Sequence, residues 1–272
     1  MHPRFLGLDA FQWVALIASA LTVLVLAESW IGHYRSGFPL RAQYAPFASG
    51  GILIAAALAA VAAPGAAWAH AGLRTSGWLA VATGVVGVGY HHYYGIVEKA
   101  GGYRWLLHYL MYGAPQLAPL ALSAAGALAV VAAQGLAGRP DVLGVGLRSA
   151  LFGTVTVSLA GAIAQSAILH YRGAYNNRLM YAPLTLPALA AAVSAWMTAA
   201  PGARVPHALG QTLYVLTFLT GFLGLGMHLR GFDRQMGGLH LFVFNLLQGP
   251  PPFAPATFAA LAAVGLVTSE LL

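Results

Sequence analysis

The sequence contains no cysteine and few charged residues. Without cysteine, the chain itself offers no disulfide bond, thiolate metal site, thiolate-held iron–sulfur cluster or cysteine nucleophile. Charged residues make up 7% of the sequence, whereas a typical soluble domain has about 25%. The 13 Lys and Arg against 6 Asp and Glu give a net charge of +7, but charges this sparse cannot follow the phosphates of a nucleic acid. A soluble globular enzyme, a disordered chain and an ordinary nucleic-acid-binding protein are therefore excluded.

Long apolar runs occupy most of the 272 residues, of which 59% are hydrophobic. A helix needs about 20 apolar residues to cross a bilayer core, and in lipid only helices and closed barrels satisfy their own backbone. The runs lack the alternation of barrel strands. They predict an all-α integral membrane protein with about eight transmembrane helices, at 11–32, 45–63, 76–95, 112–134, 149–169, 180–200, 207–228 and 253–272. The first run is interpreted as a retained span rather than a signal peptide, because its apolar core is long.

The second half of the sequence repeats motifs of the first half. At an offset of 137, matches are found for His33-Tyr34-Arg35 with His170-Tyr171-Arg172, Arg41 with Arg178, Tyr44-Ala45-Pro46 with Tyr181-Ala182-Pro183, residues 62–66 with 199–203, and His70 with His207. Further along, an offset of 136 pairs His92 with His228 and Gly95 with Gly231. The pattern predicts two tandem four-helix repeats, 1–137 and 138–272. Because four spans is an even number, the repeats have the same orientation, with a pseudo-two-fold axis along the membrane normal.

Histidines mark one predicted membrane face. His33, His92, His170 and His228 each end a predicted span, and His91 lies on the same face. Neutral imidazole is the commonest metal ligand and holds haem iron axially. A parallel two-fold would bring one histidine from each half to a shared centre, as bis-imidazole haem requires. The predicted ligands for haem b or a transition-metal ion are therefore His33, His170, His92, His228, His91 and, as a nearby carboxylate, Glu28. The alternative is that these histidines only anchor the chain at the interface.

Arginines and tyrosines gather at the same face. A ring formed by Arg35, Arg41, Arg172 and Arg178 would bind haem propionates, phosphate or carboxylate, or would mark the cytoplasmic boundary. Tyr44 and Tyr181 are further cofactor-binding candidates, although their position before Pro46 and Pro183 suits the start of a helix. The segments 103–111 and 239–247 are too short to span and are predicted to be interfacial or re-entrant helices over the same face.

These patterns predict a subunit of the cell membrane, such as the bacterial inner membrane, that binds haem b or a metal ion. It would function in electron transfer or quinone-linked redox chemistry, surrounded by lipid and joined to partner subunits of a membrane complex. Whether the chain is itself an enzyme stays open. One alternative is a transporter or channel built from parallel repeats, with Thr154, Ser158 and Gln165 as modest polar candidates. The other is a non-catalytic structural subunit.

Overall fold

The computed structural model describes residues 4–200 and 207–271, and they form a helical bundle. The α-helices are α1 (Ala10–Ser36), α2 (Ala45–Ala62), α3 (Ala67–His92), α4 (Leu106–Tyr112), α5 (Leu120–Leu136), α6 (Leu147–Arg172), α7 (Ala182–Ala199), α8 (His207–Asp233), α9 (Phe242–Gln248) and α10 (Ala256–Leu271). Single turns of 3₁₀-helix lie at Arg41–Tyr44, Gly102–Trp105, Arg178–Tyr181 and Gly238–Leu241, and a π-helical turn at Tyr93–Val97 follows α3. A small hairpin of β1 (Asp141–Val142) and β2 (Val145–Gly146) joins α5 to α6.

Local sequence signals explain where the helices begin and end. At the start of α1, Asp9 accepts the N–H groups of Phe11 and Gln12, and the Gln12 side chain accepts the N–H of Asp9, which forms a capping box. The same helix ends at Ser36 and is capped by Gly37, which has a φ of 74° that glycine adopts without strain. Helices α2 and α7 each carry proline in the first turn, where its missing N–H costs nothing.

Several helices are long and apolar enough to cross a membrane. In the described part of the chain, five such segments are found: Ala10–Ser36, Arg41–Ala62, Leu147–Arg172, Arg178–Ala199 and Ala208–Asp233. The protein is therefore an all-α, multi-pass membrane protein. The other predicted spans fall on α3, α5 and α10, and of these α5 has 17 residues and α10 has 16, about 25 Å each.

Four helices form the centre of the bundle. Helix α1 packs against α5 of the first half and α10 of the second, and α6 packs against α10 and α5. Helices α2 and α3 flank this centre on one side, and α7 and α8 on the other. Small side chains let the helices approach closely, which supports packing in lipid. Fully buried examples are Ala18 on α1, Ala125 on α5 and Ala262 on α10.

Two predicted boundaries differ from the structure by eight residues or more. The predicted span 112–134 starts too early, because Gly113–Pro119 is a linker and helix α5 begins only at Leu120. Prolines at 115 and 119 cannot donate backbone hydrogen bonds and so interrupt the helix. Helix α3 begins at Ala67, nine residues before the predicted start. The predicted repeat match at 201–203, the His207 side chain and residue 272 lie outside the described residues.

Candidate functional site

The histidines at the ends of the long helices pair within each half. His33 near the end of α1 and His91 near the end of α3 have ring centroids 6.4 Å apart. In the second half, His170 on α6 lies near enough to His228 on α8 for their charges to interact, but the described part of the chain has no ring contact between the two. Among the described residues, no ring contact joins His33 to His170. The expected meeting of equivalent histidines across the two-fold axis is therefore replaced by two pairs, one in each half.

Backbone carbonyls fix three of these four imidazoles. The Nδ1 atom of His91 lies 2.9 Å from the carbonyl oxygen of Pro115, and that of His228 lies 2.6 Å from the carbonyl of Pro251. His170 makes the same kind of contact, at 2.8 Å, with the carbonyl of Met180. Because a carbonyl only accepts, Nδ1 carries the proton in each ring and Nε2 keeps its lone pair. This is the tautomer in which Nε2 binds a metal.

The fourth imidazole, that of His33, is held differently. Its ring faces the backbone of Gln43, which corresponds to Met180 at the offset of 137. Its buried Nδ1 atom nevertheless makes no hydrogen bond of normal geometry within the described residues. Aromatic rings pack against the imidazole instead: its ring centroid lies 5.8 Å from that of Phe38 and 6.4 Å from that of Phe47. His33 is therefore oriented mainly by packing.

The geometric counterpart of His228 is His91, so the pairing of His92 with His228 is wrong. His91 and His228 bind the carbonyls of Pro115 and Pro251, which correspond at the offset of 136. The π-helical turn Tyr93–Val97 explains the change of offset, since such a turn contains one extra residue and α8 continues there as a regular helix. The extra residue turns His92 away, and its Nε2 lies 2.6 Å from the hydroxyl of Tyr103.

The predicted arginine ring is divided between two roles. Arg35 donates through Nη2 to the carbonyls of Leu246, at 3.2 Å, and Gly249, at 2.8 Å, around the end of α9 in the other half. Arg172 also reaches across, with its guanidinium carbon 5.7 Å from the centre of the Tyr112 ring at the end of α4. These two arginines therefore connect the halves.

The other two arginines and the two tyrosines lie near the starts of α2 and α7. Arg41 and Arg178 are exposed in the 3₁₀ turns that precede these helices. Tyr44 stacks on Phe38 with ring centroids 4.9 Å apart, and Tyr181 stacks on Tyr175 at 4.6 Å. Both tyrosines are about half exposed. Their contacts are those of side chains that fix the loop leading into the next helix.

Glu28 and its counterpart Gln165 bind backbone N–H groups rather than a histidine. Glu28 accepts, through Oε1, the N–H of Phe253 and that of Ala254, the latter at 3.0 Å. Gln165 accepts the N–H of Leu117 at 3.4 Å. Glu28 is thus engaged in a contact between helix α1 and the linker before α10.

Two of the polar residues considered for transport, Thr154 and Gln165, make hydrogen bonds to the backbone. The hydroxyl of Thr154 donates to the carbonyl of Ala150, 2.8 Å away in the preceding turn, and Gln165 is held as described above. Sequence reasoning missed the carbonyl acceptors of Pro115, Pro251 and Met180, although the first two correspond at the offset of 136. Every residue has a backbone carbonyl, so residue type alone does not identify an acceptor. The corresponding prolines 115 and 251 were the one feature of the sequence that marked these two positions.

Metal-binding side chains are not clustered among the described residues. Within residues 4–200 and 207–271, no group of three or more His, Asp or Glu side chains is arranged to hold a metal ion. Comparison with protein-family models, with curated proteins and with solved structures finds no match. The arrangement of the histidines therefore carries the functional argument.

Proposed function

We propose that the chain consists of two tandem, parallel-oriented four-helix repeats, residues 1–137 and 138–272, with about eight membrane-crossing helices. Equivalent local geometry in the two halves supports this. Gly101 and Gly237, which correspond at the offset of 136, have φ values of 80° and 79°. Gly84 of α3 lies against Pro119, and Gly221 of α8 lies against Pro255 in the same way. The aromatic stacks on Tyr44 and Tyr181 form another equivalent pair.

We further propose that the imidazole pairs bind haem b or a transition-metal ion. The observation that carries this proposal is that His91, His170 and His228 each present Nδ1 to a backbone carbonyl. A carbonyl on Nδ1 is the usual support for a histidine that ligates through Nε2. An imidazole nitrogen lies about 2 Å from its metal, so two rings that share one metal have centroids on the order of 6 Å apart. The separation of His33 from His91 is of this size.

The number of ligands favours haem over a bare ion. A structural zinc site takes four protein ligands, whereas haem iron takes its remaining one or two ligands from the protein. Two imidazoles per half fit the second requirement. Haem b ligated in this way exchanges single electrons, and we propose electron transfer or quinone-linked redox chemistry with a partner complex. Exposed Arg41 and Arg178 lie on the same face and would bind anionic groups such as propionates.

A reduced-minus-oxidised visible spectrum of the purified protein in detergent, with metal analysis of the same sample, tests this proposal. The expected result is a b-type haem spectrum that loses the contribution of one pair in His228→Ala or in His91→Ala and is unchanged in His92→Ala. The matched control is His92, because it adjoins His91 but faces Tyr103. A featureless spectrum together with substoichiometric metal, in protein that is folded by circular dichroism, would contradict the proposal.

A non-catalytic structural subunit is the second candidate. It is favoured by the use of Arg35 and Glu28 in contacts between the halves, because these charged groups then support packing rather than a ligand. The same spectrum and metal analysis separate the two functions. Under this second function, the protein binds no haem or metal, and the substitution of His228 changes only its stability.

A further inference from the structure

The linker that precedes α10 has very few backbone donors. It runs from Gly249 to Pro255, and four of its seven residues are proline, which carries no N–H. The N–H of Gly249 donates to the carbonyl of Asn245 at 2.7 Å. The two remaining donors, on Phe253 and Ala254, both bind the carboxylate of Glu28. Glu28 of the first half thus satisfies every N–H group of this linker that the linker's own half leaves free.

The same linker orients a histidine of its own half. The carbonyl of Pro251 accepts from Nδ1 of His228. Only Pro252 separates Pro251 from Phe253, and the pyrrolidine ring of a proline locks its φ angle. A shift of Phe253 is therefore transmitted to the carbonyl on which the tautomer of His228 depends. The contact from α1 to the linker and the contact from the linker to α8 form one continuous path.

The first half contains a similar path, in which Gln116 stands in place of Pro252. Gln165 on α6 accepts the N–H of Leu117, and the carbonyl of Pro115 in the same linker accepts from Nδ1 of His91. Glu28 and Gln165 correspond at the offset of 137, and Leu117 and Phe253 at the offset of 136. The carboxylate of Glu28 and the side-chain amide of Gln165 have the same role, because each supplies an oxygen that accepts a hydrogen bond.

We infer that Glu28 and Gln165 are positioning residues, each of which orients a ligand histidine of the opposite half through the linker that it holds. Glu28 orients His228, and Gln165 orients His91. This inference rests on the proposed role of the histidines as ligands. It assigns to Glu28 a role distinct from that of a metal ligand, in which its Oε1 atom accepts the N–H groups of Phe253 and Ala254.

The test is a measurement of histidine tautomers by NMR of ¹⁵N-histidine-labelled full-length protein in lipid nanodiscs. Signals are assigned with His228→Gln and His91→Gln. Glu28→Leu removes the acceptor, and we expect His228 to lose its single Nδ1–H tautomer while His91 keeps its own. Gln165→Leu should have the opposite effect, on His91 alone. Glu28→Gln and Gln165→Glu keep an acceptor oxygen, and we expect both to retain the wild-type signals.

The crossed pattern separates positioning from general destabilisation. A merely structural loss would alter both histidines in each leucine variant, and that result would overturn the inference, as would an unchanged His228 in Glu28→Leu. If Glu28→Leu does not fold, the inference is tested with Gln165→Leu alone. This variant loses only a longer, uncharged hydrogen bond to Leu117, so we expect it to fold. The readout needs no bound haem or metal. The crossed pattern in protein that never binds either would refute the proposed function and leave the positioning role standing.

Discussion

At the scale of single residues, charged side chains on α1 serve the contact between the halves. Arg35 donates to two carbonyls near the end of α9, whose own helix offers them no partner. We predict that Arg35→Ala lowers the free energy of unfolding by about 1–2 kcal/mol, the net contribution of two such hydrogen bonds. Thermal unfolding in detergent measures the change.

Arg41→Ala is the matched control for this substitution. It removes the same charge from the same face, but Arg41 is exposed in a 3₁₀ turn. The unfolding midpoint of this variant should stay within error of the wild type. Equal losses in both variants would show that Arg35 acts through net charge and not through its contacts with Leu246 and Gly249.

At the scale of elements, helix α3 packs closely against the start of helix α5 at Gly84. A Cβ atom added to Gly84 would lie 2.6 Å from the carbonyl oxygen of Pro119 and would overlap the side chain of Ser123. Gly84→Ala should therefore separate the helices, with a loss of about 1–3 kcal/mol of stability. Gly89 lies on the same helix with nothing near its Cβ position, so Gly89→Ala should instead gain about 0.5–1 kcal/mol. Paired thermal unfolding curves check both directions.

The π-helical turn after α3 gives a second prediction at this scale. The first half has one more residue than the second half between His91 and Gly95. Deletion of His92 should convert Tyr93–Val97 to regular helix, as in α8, and the protein should fold with His91 still in place. Deletion of Val85 would rotate the rest of α3 by about 100° and should abolish folding. Size-exclusion chromatography and circular dichroism distinguish the two; a folding failure in both variants would contradict the prediction.

The sequence predicts helices well and contacts poorly. Every predicted span overlaps a helix, because long apolar runs show where a chain can lie in lipid. Whether His91 or His92 corresponds to His228 depends on the π-helical turn. One extra residue in a helix does not change the pattern of hydrophobic residues enough to be recognised in the sequence. The contact of Glu28 with Phe253 joins residues that are 225 positions apart, and only the match of Glu28 with Gln165 hinted at it. Contacts of that kind depend on packing, which periodicity does not encode.

At the scale of the whole molecule, the number of crossings determines which loops share a side. Leu143 at the hairpin and Met236 after α8 are each more than four-fifths exposed, and α6, α7 and α8 lie between them. Three crossings would place them on opposite sides of the membrane. Because the chain has no cysteine, Leu143→Cys and Met236→Cys each introduce a single thiol. In intact cells, a membrane-impermeant maleimide should label Leu143→Cys, and Met236→Cys should react only after permeabilisation, since the excess of arginine predicts that the Met236 face is cytoplasmic.

Lys99→Cys serves as the internal reference for this experiment. It lies after α3 on the predicted side of Met236, and both variants should respond alike. Labelling of Leu143→Cys and Met236→Cys from one side would show an even number of crossings between them and would contradict the parallel arrangement. Reversed labelling of all three would keep that arrangement and invert the protein in the membrane.

The contacts of Glu28 and Arg35 with the end of α9 and the last linker join parts of the chain that are synthesised far apart in time. Both side chains emerge from the ribosome on the first long helix, and their acceptors and donors follow 211 to 226 residues later. At about 5–20 residues per second, synthesis of that stretch takes roughly 10–40 s. During this interval, the carboxylate of Glu28 and the guanidinium of Arg35 lack these hydrogen-bond partners. A chain arrested before the last helix would therefore keep both charged groups without the partners that neutralise their cost in lipid.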